Sequence, residues 1–393
     1  MAPEESPTPG ILAVAGILLV GLNLRPTVAS VPPLLGVIRA DLTLSYAAAG
    51  LLTTIPTLCM GVFGLGTDAI ARRLGRERGV FWAVVLVAFG TLARVWGDVA
   101  VVLFATTLVA GVGIAVSQTL LPTLINEYFP GREGAVTGLY TASVTGGAGL
   151  ASAATAPLRD AVGSWPVALA VWGGFALVAL AAWTPVVRNR TATGAGGTSA
   201  SGLPWRDRWA WVLSLFFGGQ ATLFVAVLTW LAPLYVDLGW TPTHAGLLLT
   251  AFLVGQLVGS LSISTVSDRR PDRRPLFALT LGTAAVGFAA VLVVPLLFPW
   301  GWAAMLGLGV GGLFALSLTL PGDYASTPAA TSRLTSMVLG VGYLLAAAGP
   351  FLIGVLRDAL GSYDVAFASL VVLSVALLAV STRFRPATRL TVE

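Results

Sequence analysis

Long apolar stretches alternate with short polar segments along almost the whole chain. Each stretch is about 20 residues or more, enough for a helix that crosses a hydrocarbon core of about 30 Å. The expected fold class is therefore an all-α membrane protein. The pattern predicts twelve helices, at residues 10–38, 44–67, 79–96, 99–126, 134–157, 164–187, 207–236, 243–266, 275–297, 300–321, 332–356 and 363–382.

The second half of this pattern repeats the first. AGLLT at 49–53 recurs as AGLLLT at 245–250, and Asp68 recurs as Asp268. We therefore expect two pseudo-symmetric bundles of six helices. Duplicated halves of this kind place a substrate site at their interface near the membrane midplane, and they move a solute by rocking against each other.

The expected domain boundaries follow from a change in composition between the sixth and seventh helices. Residues 188–206 are rich in small and polar residues, which cannot bury a core, and both ends of this segment are basic. We interpret it as a flexible cytoplasmic linker. It joins an N-terminal bundle, residues 1–187, to a C-terminal bundle, residues 207–393.

Composition and charge support a membrane location. Of the 393 residues, 56% are hydrophobic and 10% are charged, against about a quarter charged in soluble domains. The net charge of +5 comes from arginine, and most arginines fall in loops on one predicted side. The positive-inside rule then places both termini in the cytoplasm. Only Arg39, Arg94, Arg159 and Arg357 are expected on the outside.

The first apolar stretch contains Arg25, the only ionisable residue expected deep inside a membrane helix. A cation at that depth costs about 2.5–3.5 kcal/mol, so it should face protein or water and meet a negative group. Because no carboxylate is expected at that depth, we predict that a small anionic substrate supplies the counter-charge. The alternative is that Arg25 extends toward the outer face. Pro26 should kink this helix.

Neutral polar and aromatic side chains in other predicted helices complete the candidate site. Amides offer donors and acceptors that could replace the hydration shell of an anion, although hydrogen bonds between helices are an alternative use. On a straight helix Asn23 points away from Arg25, so a shared cavity is left open. The substrate-binding candidates are Arg25, Asn23, Gln118, Tyr140, Gln220, Trp230, Gln256 and Tyr343.

Two loops carry a recognisable pattern of glycine, acid and arginine. GLGTD at 64–68 is followed by ARRLGRERG at 71–79, and SDRRPDRR occupies 267–274. These segments resemble the cytoplasmic loop signature of the major facilitator superfamily. An acid there could pair with an arginine or a helix N-terminus and hold one conformation. The candidate latch residues are Asp68, Arg72, Asp268 and Arg269.

Longer stretches resemble the cyanate porter and 2-nitroimidazole transporter family of that superfamily. They include GLNLRPTVASVPPLL at 21–35, GVGIAVSQTLLP at 111–122 and TWLAPLYVDLG at 229–239. The resemblance implies a secondary transporter of a small solute such as cyanate. The alternative substrate is a small neutral aromatic, such as a 2-nitroimidazole, exported from the cell. A membrane sensor or scaffold is a third hypothesis.

The sequence contains no pattern typical of an enzyme. It has no metal-ligand cluster, no nucleophile with a base and no phosphate-binding loop, so we expect no enzymatic activity, no cofactor and no metal. Glu4 and Glu5 precede the first stretch, which we expect to be a retained helix and not a signal peptide. The expected partners are a small-molecule or anion substrate and the lipid bilayer, with no nucleic acid and a monomeric chain.

Overall fold

The computed structural model describes residues 11–188, 202–267, 269–270 and 272–384, without the side chains of Ile11, residues 66–70 and Pro328. We call residues 11–188 the N-terminal half and residues 202–384 the C-terminal half. The described chain is helical and contains no β-strand. Its α-helices are α1 (Ile11–Leu24), α2 (Pro26–Ala29), α3 (Leu35–Asp41), α4 (Tyr46–Leu74), α5 (Arg76–Leu92), α6 (Ala100–Tyr128), α7 (Glu133–Val162), α8 (Trp165–Ala170), α9 (Trp172–Arg188), α10 (Arg208–Asp237), α11 (Pro242–Ser267), α12 (Arg274–Val293), α13 (Pro299–Tyr324), α14 (Pro328–Leu360) and α15 (Asp364–Ser381).

Most of these helices are membrane spans. Within the described residues, 11 helical segments are long and apolar enough to cross a bilayer. Helix α7 has 30 residues but is rich in glycine, alanine, serine and threonine, so its hydropathy is lower. It corresponds to the predicted span 134–157 and completes the predicted set.

The first predicted helix, 10–38, corresponds to one candidate membrane span but not to one continuous helix. The structure divides it into α1, α2, a 3₁₀ turn over Pro32–Leu34 and α3. Proline lacks a backbone N–H and its ring clashes with the preceding turn. Pro26, Pro32 and Pro33 therefore remove three helical donors within eight residues. The helix is interrupted at these positions.

Equivalent helix pairs pack in the same way in the two halves. Helix α1 contacts α7, and α10 contacts α14. Gly147 of α7 lies directly against the carbonyl oxygen of Leu22, and a Cβ on Gly349 of α14 would lie 2.9 Å from Cγ2 of Thr222. Small residues let both pairs of helices approach closely. Equivalent positions of the sequence repeat thus make the same kind of contact in each half.

The two halves meet along two helix pairs, α4 with α14 and α7 with α11. A Cβ on Gly50 of α4 would lie 2.6 Å from the carbonyl oxygen of Pro350. On the other pair, Ser152 Oγ and Thr250 Oγ1 are 2.9 Å apart. Residues 189–201, the greater part of the predicted linker, lie outside the described residues. The division of the chain at residues 187 and 207 therefore stays a prediction.

Candidate substrate site

The break in the first helix carries Arg25. This residue lies between α1 and α2, and its carbonyl oxygen accepts hydrogen bonds from Val28 N at 3.0 Å and Ala29 N at 2.8 Å. Its side chain is partly exposed. None of the described carboxylates forms an ion pair with it. The guanidinium is thus available to a solute.

Groups from both halves surround this guanidinium. Cζ of Arg25 lies 5.5 Å from the centre of the Phe224 ring on α10. The Arg25 charge also acts on the hydroxyls of Tyr140, on α7, and Tyr343, on α14. A cation over an aromatic face gains about 0.5–2 kcal/mol, more when it is desolvated. Phe224 therefore helps to orient the Arg25 guanidinium, whose charge also acts on the two tyrosine hydroxyls.

Tyr140 reaches the site because Gly21 makes room for it. Gly21 precedes Arg25 by one helical turn, and a Cβ there would lie 3.0 Å from Cδ2 of Tyr140. Tyr140 is 7% exposed, and its hydroxyl has no hydrogen-bond partner among the described residues. A buried hydroxyl normally needs such a partner, and a bound solute can provide one.

Tyr343 and Gln118 form the other side of the site. The Tyr343 ring packs edge-on against Phe217 with the centres 5.4 Å apart, and the Gln118 amide of α6 interacts with its hydroxyl. Oε1 of Gln118 has no partner within the described structure. The predicted pair of a tyrosine and an amide thus lies together beside Arg25.

The two remaining glutamines lie near the aromatic side chains of Phe217, Phe224 and Phe252. Gln220 is 1% exposed and shares one face of α10 with Phe217 and Phe224, because residues three and four apart are neighbours on a helix. Its Oε1 also lacks a partner in the described residues. Gln256 is half-buried, one turn after Phe252, whose ring stacks on Phe224 at 6.0 Å.

Two predicted site residues make their contacts elsewhere. Asn23 is buried, and its Nδ2 donates to the carbonyl oxygen of Leu19 at 2.7 Å, so this donor serves its own helix. Trp230 is fully buried; its Nε1 donates to Pro350 O at 3.0 Å, and its ring lies 5.7 Å from that of Tyr363. Trp230 therefore belongs to an aromatic cluster with Tyr46, at the start of α4, and Tyr363, just before α15.

The latch stays a prediction. The side chain of Asp68 and all of Asp268 lie outside the described residues. Arg72 and Arg269 are exposed and pair with none of the described carboxylates. The ion pairs described at this end of the bundle, which we call the arginine-rich end, lie within each half: Arg76 with Glu127 at 2.9 Å, and Arg273 with Asp323 at 2.5 Å.

A local ion pair organises the loop before α12. The Arg274 guanidinium hydrogen-bonds to Asp272, with Nη2 at 2.8 Å from Oδ2. This contact holds the pKa of the Asp272 carboxyl below its usual range. Asp272 therefore stays ionised at neutral pH.

Arg25 is not the only arginine inside the protein, because Arg94, one of the four arginines expected on the outside, points inward near the end of a membrane span. Arg94 is fully buried. Its Nη1 donates to the carbonyl oxygen of Thr27 at 2.6 Å, and its Nη2 to Oγ1 of Thr107 at 3.0 Å. Helix α5 ends at Leu92, and the 3₁₀ turn over Ala93–Trp96 directs this side chain inward.

Comparison with known families decides the identity of the fold. The model of the Major Facilitator Superfamily matches residues 16–237 and 211–392. The chain belongs to the Major Facilitator Superfamily. This confirms the predicted fold class, two pseudo-symmetric bundles of transmembrane helices.

Two characterised relatives match almost the whole chain. The cyanate transport protein CynX of Escherichia coli (strain K12) is 34% identical over 94% of this chain and 96% of its own length. The 2-nitroimidazole transporter of the same organism is 33% identical over 93% of both chains. The predicted resemblance is confirmed. The chain is a transporter and not an enzyme, and it is a multi-pass protein of the inner membrane.

Solved structures support the same fold. A bacterial homologue of the lysosomal transporter Spinster, in an inward-facing and occupied conformation, superimposes with a TM-score of 0.80 at 16% identity, covering 97% of this chain and 98% of its own. A D-xylose–proton symporter superimposes with a TM-score of 0.71 at 18% identity, over 96% and 97%. At these identities the likeness concerns the fold alone.

Proposed function

We propose that this transporter carries a small monovalent anion of the cyanate class by alternating access, with both termini in the cytoplasm. The observation that carries the proposal is the Arg25 guanidinium. It lies at a helix break, pairs with none of the described carboxylates and acts on two tyrosine hydroxyls. A cation in that position requires a negative partner.

The surrounding groups match the needs of a small anion. Arginine presents a rigid fork of N–H donors, and hydrogen bonds between two charged groups are about twice as strong as neutral ones. The hydroxyls of Tyr140 and Tyr343 and the amide of Gln118 can donate further hydrogen bonds. Together they replace the hydration shell that the anion leaves in water.

The site also explains how binding would couple to movement. Arg25 and Tyr140 belong to the N-terminal half, whereas Phe224 and Tyr343 belong to the C-terminal half. A solute that contacts both halves favours the conformation in which those contacts exist. The rocking of the two halves then exposes the same site to each side of the membrane in turn.

A neutral nitroaromatic is the second candidate substrate. The rings of Phe224 and Phe252 stack with an interplanar angle of 27°, and Phe217 and Tyr343 add a second aromatic surface. A flat ring could pack on these surfaces, with Arg25 directed at a nitro group.

A thermal-shift assay on the purified protein separates the two substrates, because a ligand that binds the folded state stabilises it by mass action. We expect sodium cyanate to raise the Tm of the wild type above that in sodium chloride of equal ionic strength. The chain has no lysine, so cyanate cannot carbamylate lysine side chains. We expect 2-nitroimidazole to have no such effect.

Two variants assign the effect to the site. Arg25→Gln removes the charge and should abolish the cyanate shift. Arg188→Gln removes an exposed arginine at the end of α9 and should keep it. A cyanate shift that survives Arg25→Gln, or stabilisation by 2-nitroimidazole alone, would contradict an anion site.

A further inference from the structure

The end of α2, at Ser30 and Val31, leaves a backbone carbonyl without its helical partner. In a continuous helix, the carbonyl oxygen of Thr27 would accept from the amide of Val31. Here Val31 N donates to Val28 O at 3.3 Å instead. A buried carbonyl without a partner is costly, and Nη1 of Arg94 donates to it at 2.6 Å.

The same guanidinium ties α2 to α6. Nη2 of Arg94 donates to Oγ1 of Thr107 at 3.0 Å, and that hydroxyl donates in turn to Leu103 O at 2.7 Å. Thr91 adds a second link from α5 to α2, with its Oγ1 2.8 Å from Oγ1 of Thr27. Helix α2, only four residues long, is thereby fixed to two long helices.

This arrangement is costly for a purely structural contact. Arg94 is fully buried and forms an ion pair with none of the described carboxylates, and its Nε has no hydrogen-bond partner in the described structure. Apolar residues of similar volume often stabilise a fold better than buried charges do. What the contact provides is a defined position for the residues next to Arg25.

We propose that Arg94 is a positioning residue of the anion site. Its guanidinium holds the Thr27 carbonyl and so fixes α2, which sets the position of the Arg25 guanidinium against Phe224 and the two tyrosines. This proposal rests on the proposed function, because it assigns to Arg25 the contact with the anion. Arg94 itself is fully buried and does not touch the solute.

The first test measures the helix break without any ligand. Arg94→Lys keeps the charge, but an ammonium lacks the planar fork that spans Thr27 and Thr107. We expect amide hydrogen exchange at residues 28–31 of the detergent-purified protein to become at least about tenfold faster, while exchange in α12 stays unchanged. Unchanged exchange at residues 28–31 would overturn the proposal, whatever the substrate is.

A milder variant covers the case in which Arg94→Lys does not fold. Thr107→Val removes only the hydroxyl that accepts from Nη2 and keeps the shape of the side chain. We expect faster exchange of the same amides, by a smaller factor. Thr106→Val is the matched control, because the Thr106 hydroxyl donates only within α6, to Val102 O and Leu103 O, and it should leave residues 28–31 unchanged.

The second test asks whether Arg94 acts through Arg25. We expect Arg94→Lys to weaken cyanate binding about tenfold, roughly the effect of one lost hydrogen bond to a charged group. In the Arg25→Lys background, which keeps the charge and retains weaker binding, the same substitution should cause a smaller loss, because groups that act as one unit are not additive. An equal loss in both backgrounds would overturn the positioning role.

The two tests separate this proposal from the proposed function. If 2-nitroimidazole and not cyanate stabilises the wild type, the anion assignment fails, and the cycle of Arg25 and Arg94 variants is measured with 2-nitroimidazole instead. If neither probe binds, the exchange test alone decides whether Arg94 fixes the helix break.

Discussion

The carboxylate of Asp358, on α14, caps the first turn of α4 from the other half of the chain. Its Oδ1 accepts from Tyr46 N and its Oδ2 from Ala47 N, both at 2.8 Å. Helix α4 already has its own cap, since Ser45 Oγ accepts from Ala48 N at 3.0 Å. An acid at a helix N-terminus also interacts favourably with the helix dipole. This contact therefore joins the two halves at the end of the bundle opposite the arginine-rich end.

Arginines reinforce the same contact around Tyr46. Cζ of Arg39 lies 3.4 Å from the centre of the Tyr46 ring, and Cζ of Arg357 lies 4.7 Å from it. Arg357 also pairs with Asp237, with Nη2 2.9 Å from Oδ2. The aromatic cluster that contains Trp230 and Tyr363 lies beside this group. The two halves are therefore in direct contact at this end.

We predict that Asp358→Asn favours conformations that are open at this end. The amide keeps the size of the side chain but loses its charge, at a cost of about 1 kcal/mol. That cost shifts a two-state equilibrium about fivefold. Spin labels on Asp98→Cys and Val365→Cys, both exposed, in a Cys59→Ala background would report a larger population of long distances.

The matched control for this prediction is Asp364→Asn. Asp364 is exposed and begins its own helix, α15, and its described hydrogen bond, from its N to Ser362 Oγ, lies within the C-terminal half. We expect its distance distribution to match that of the wild type. Equal distributions in Asp358→Asn and the wild type would show that the cap does not hold the two halves together.

We predict that the tyrosine hydroxyls contribute to anion affinity. Tyr343→Phe and Tyr140→Phe each remove one hydroxyl beside Arg25, and a hydrogen bond to a charged group contributes about 1.5–3 kcal/mol. The expected loss in cyanate affinity is therefore about 10- to 150-fold for each variant, measured by titration calorimetry. Tyr324→Phe is the control, because Tyr324 packs against Trp209 and Phe384 at the arginine-rich end. An equal loss of cyanate affinity in the control would contradict a role of Tyr140 and Tyr343 in anion binding.

Much of the candidate site could be predicted from the sequence because its chemistry is rare inside a membrane. A charge in a long apolar stretch is costly, so Arg25 was identifiable without knowledge of its neighbours. Gln118, Tyr140 and Tyr343 are polar groups in apolar helices, and the structure brings them to Arg25. The fold followed from the lengths of the apolar stretches and from the internal repeat.

The remaining features depend on local backbone geometry that hydropathy does not contain. Arg94 lies at the end of an apolar stretch, where an arginine usually extends to the membrane surface. Its burial depends on the 3₁₀ turn and on the orphaned Thr27 carbonyl, neither of which has a sequence pattern. Asn23 and Trp230 show the same limit, because the direction of a side chain depends on the neighbouring helix.

We predict that Gly147→Ala impairs folding or transport, whereas Gly146→Ala does not. A Cβ on Gly147 would collide with the carbonyl oxygen of Leu22, but a Cβ on Gly146 would meet open space. Overpacking of this kind costs about 1–3 kcal/mol, and the collision would displace α1 next to Arg25. Thermal unfolding and cyanate uptake in proteoliposomes measure the two effects. Equal behaviour of the two variants would contradict the close packing of α1 on α7.

We predict that anion exchange by this protein does not require a proton gradient. Proton-coupled carriers often use a carboxylate inside the membrane. The acids whose side chains are described all lie near helix ends or in loops. Two of them form ion pairs there, Glu127 with Arg76 and Asp323 with Arg273. Among the described residues, Arg25 lies over the ring of Phe224 and pairs with no carboxylate.

The measurement is cyanate counterflow in proteoliposomes, with and without an imposed pH difference. We expect equal rates, and equal rates again for nitrate if the site accepts it. Nitrate is the anion of a strong acid and carries no proton itself. A pH difference that accelerates nitrate flux would therefore require a titratable group of the protein and would contradict this mechanism. If only cyanate flux responds, the proton travels on the substrate, and transport requires no titratable group of the protein.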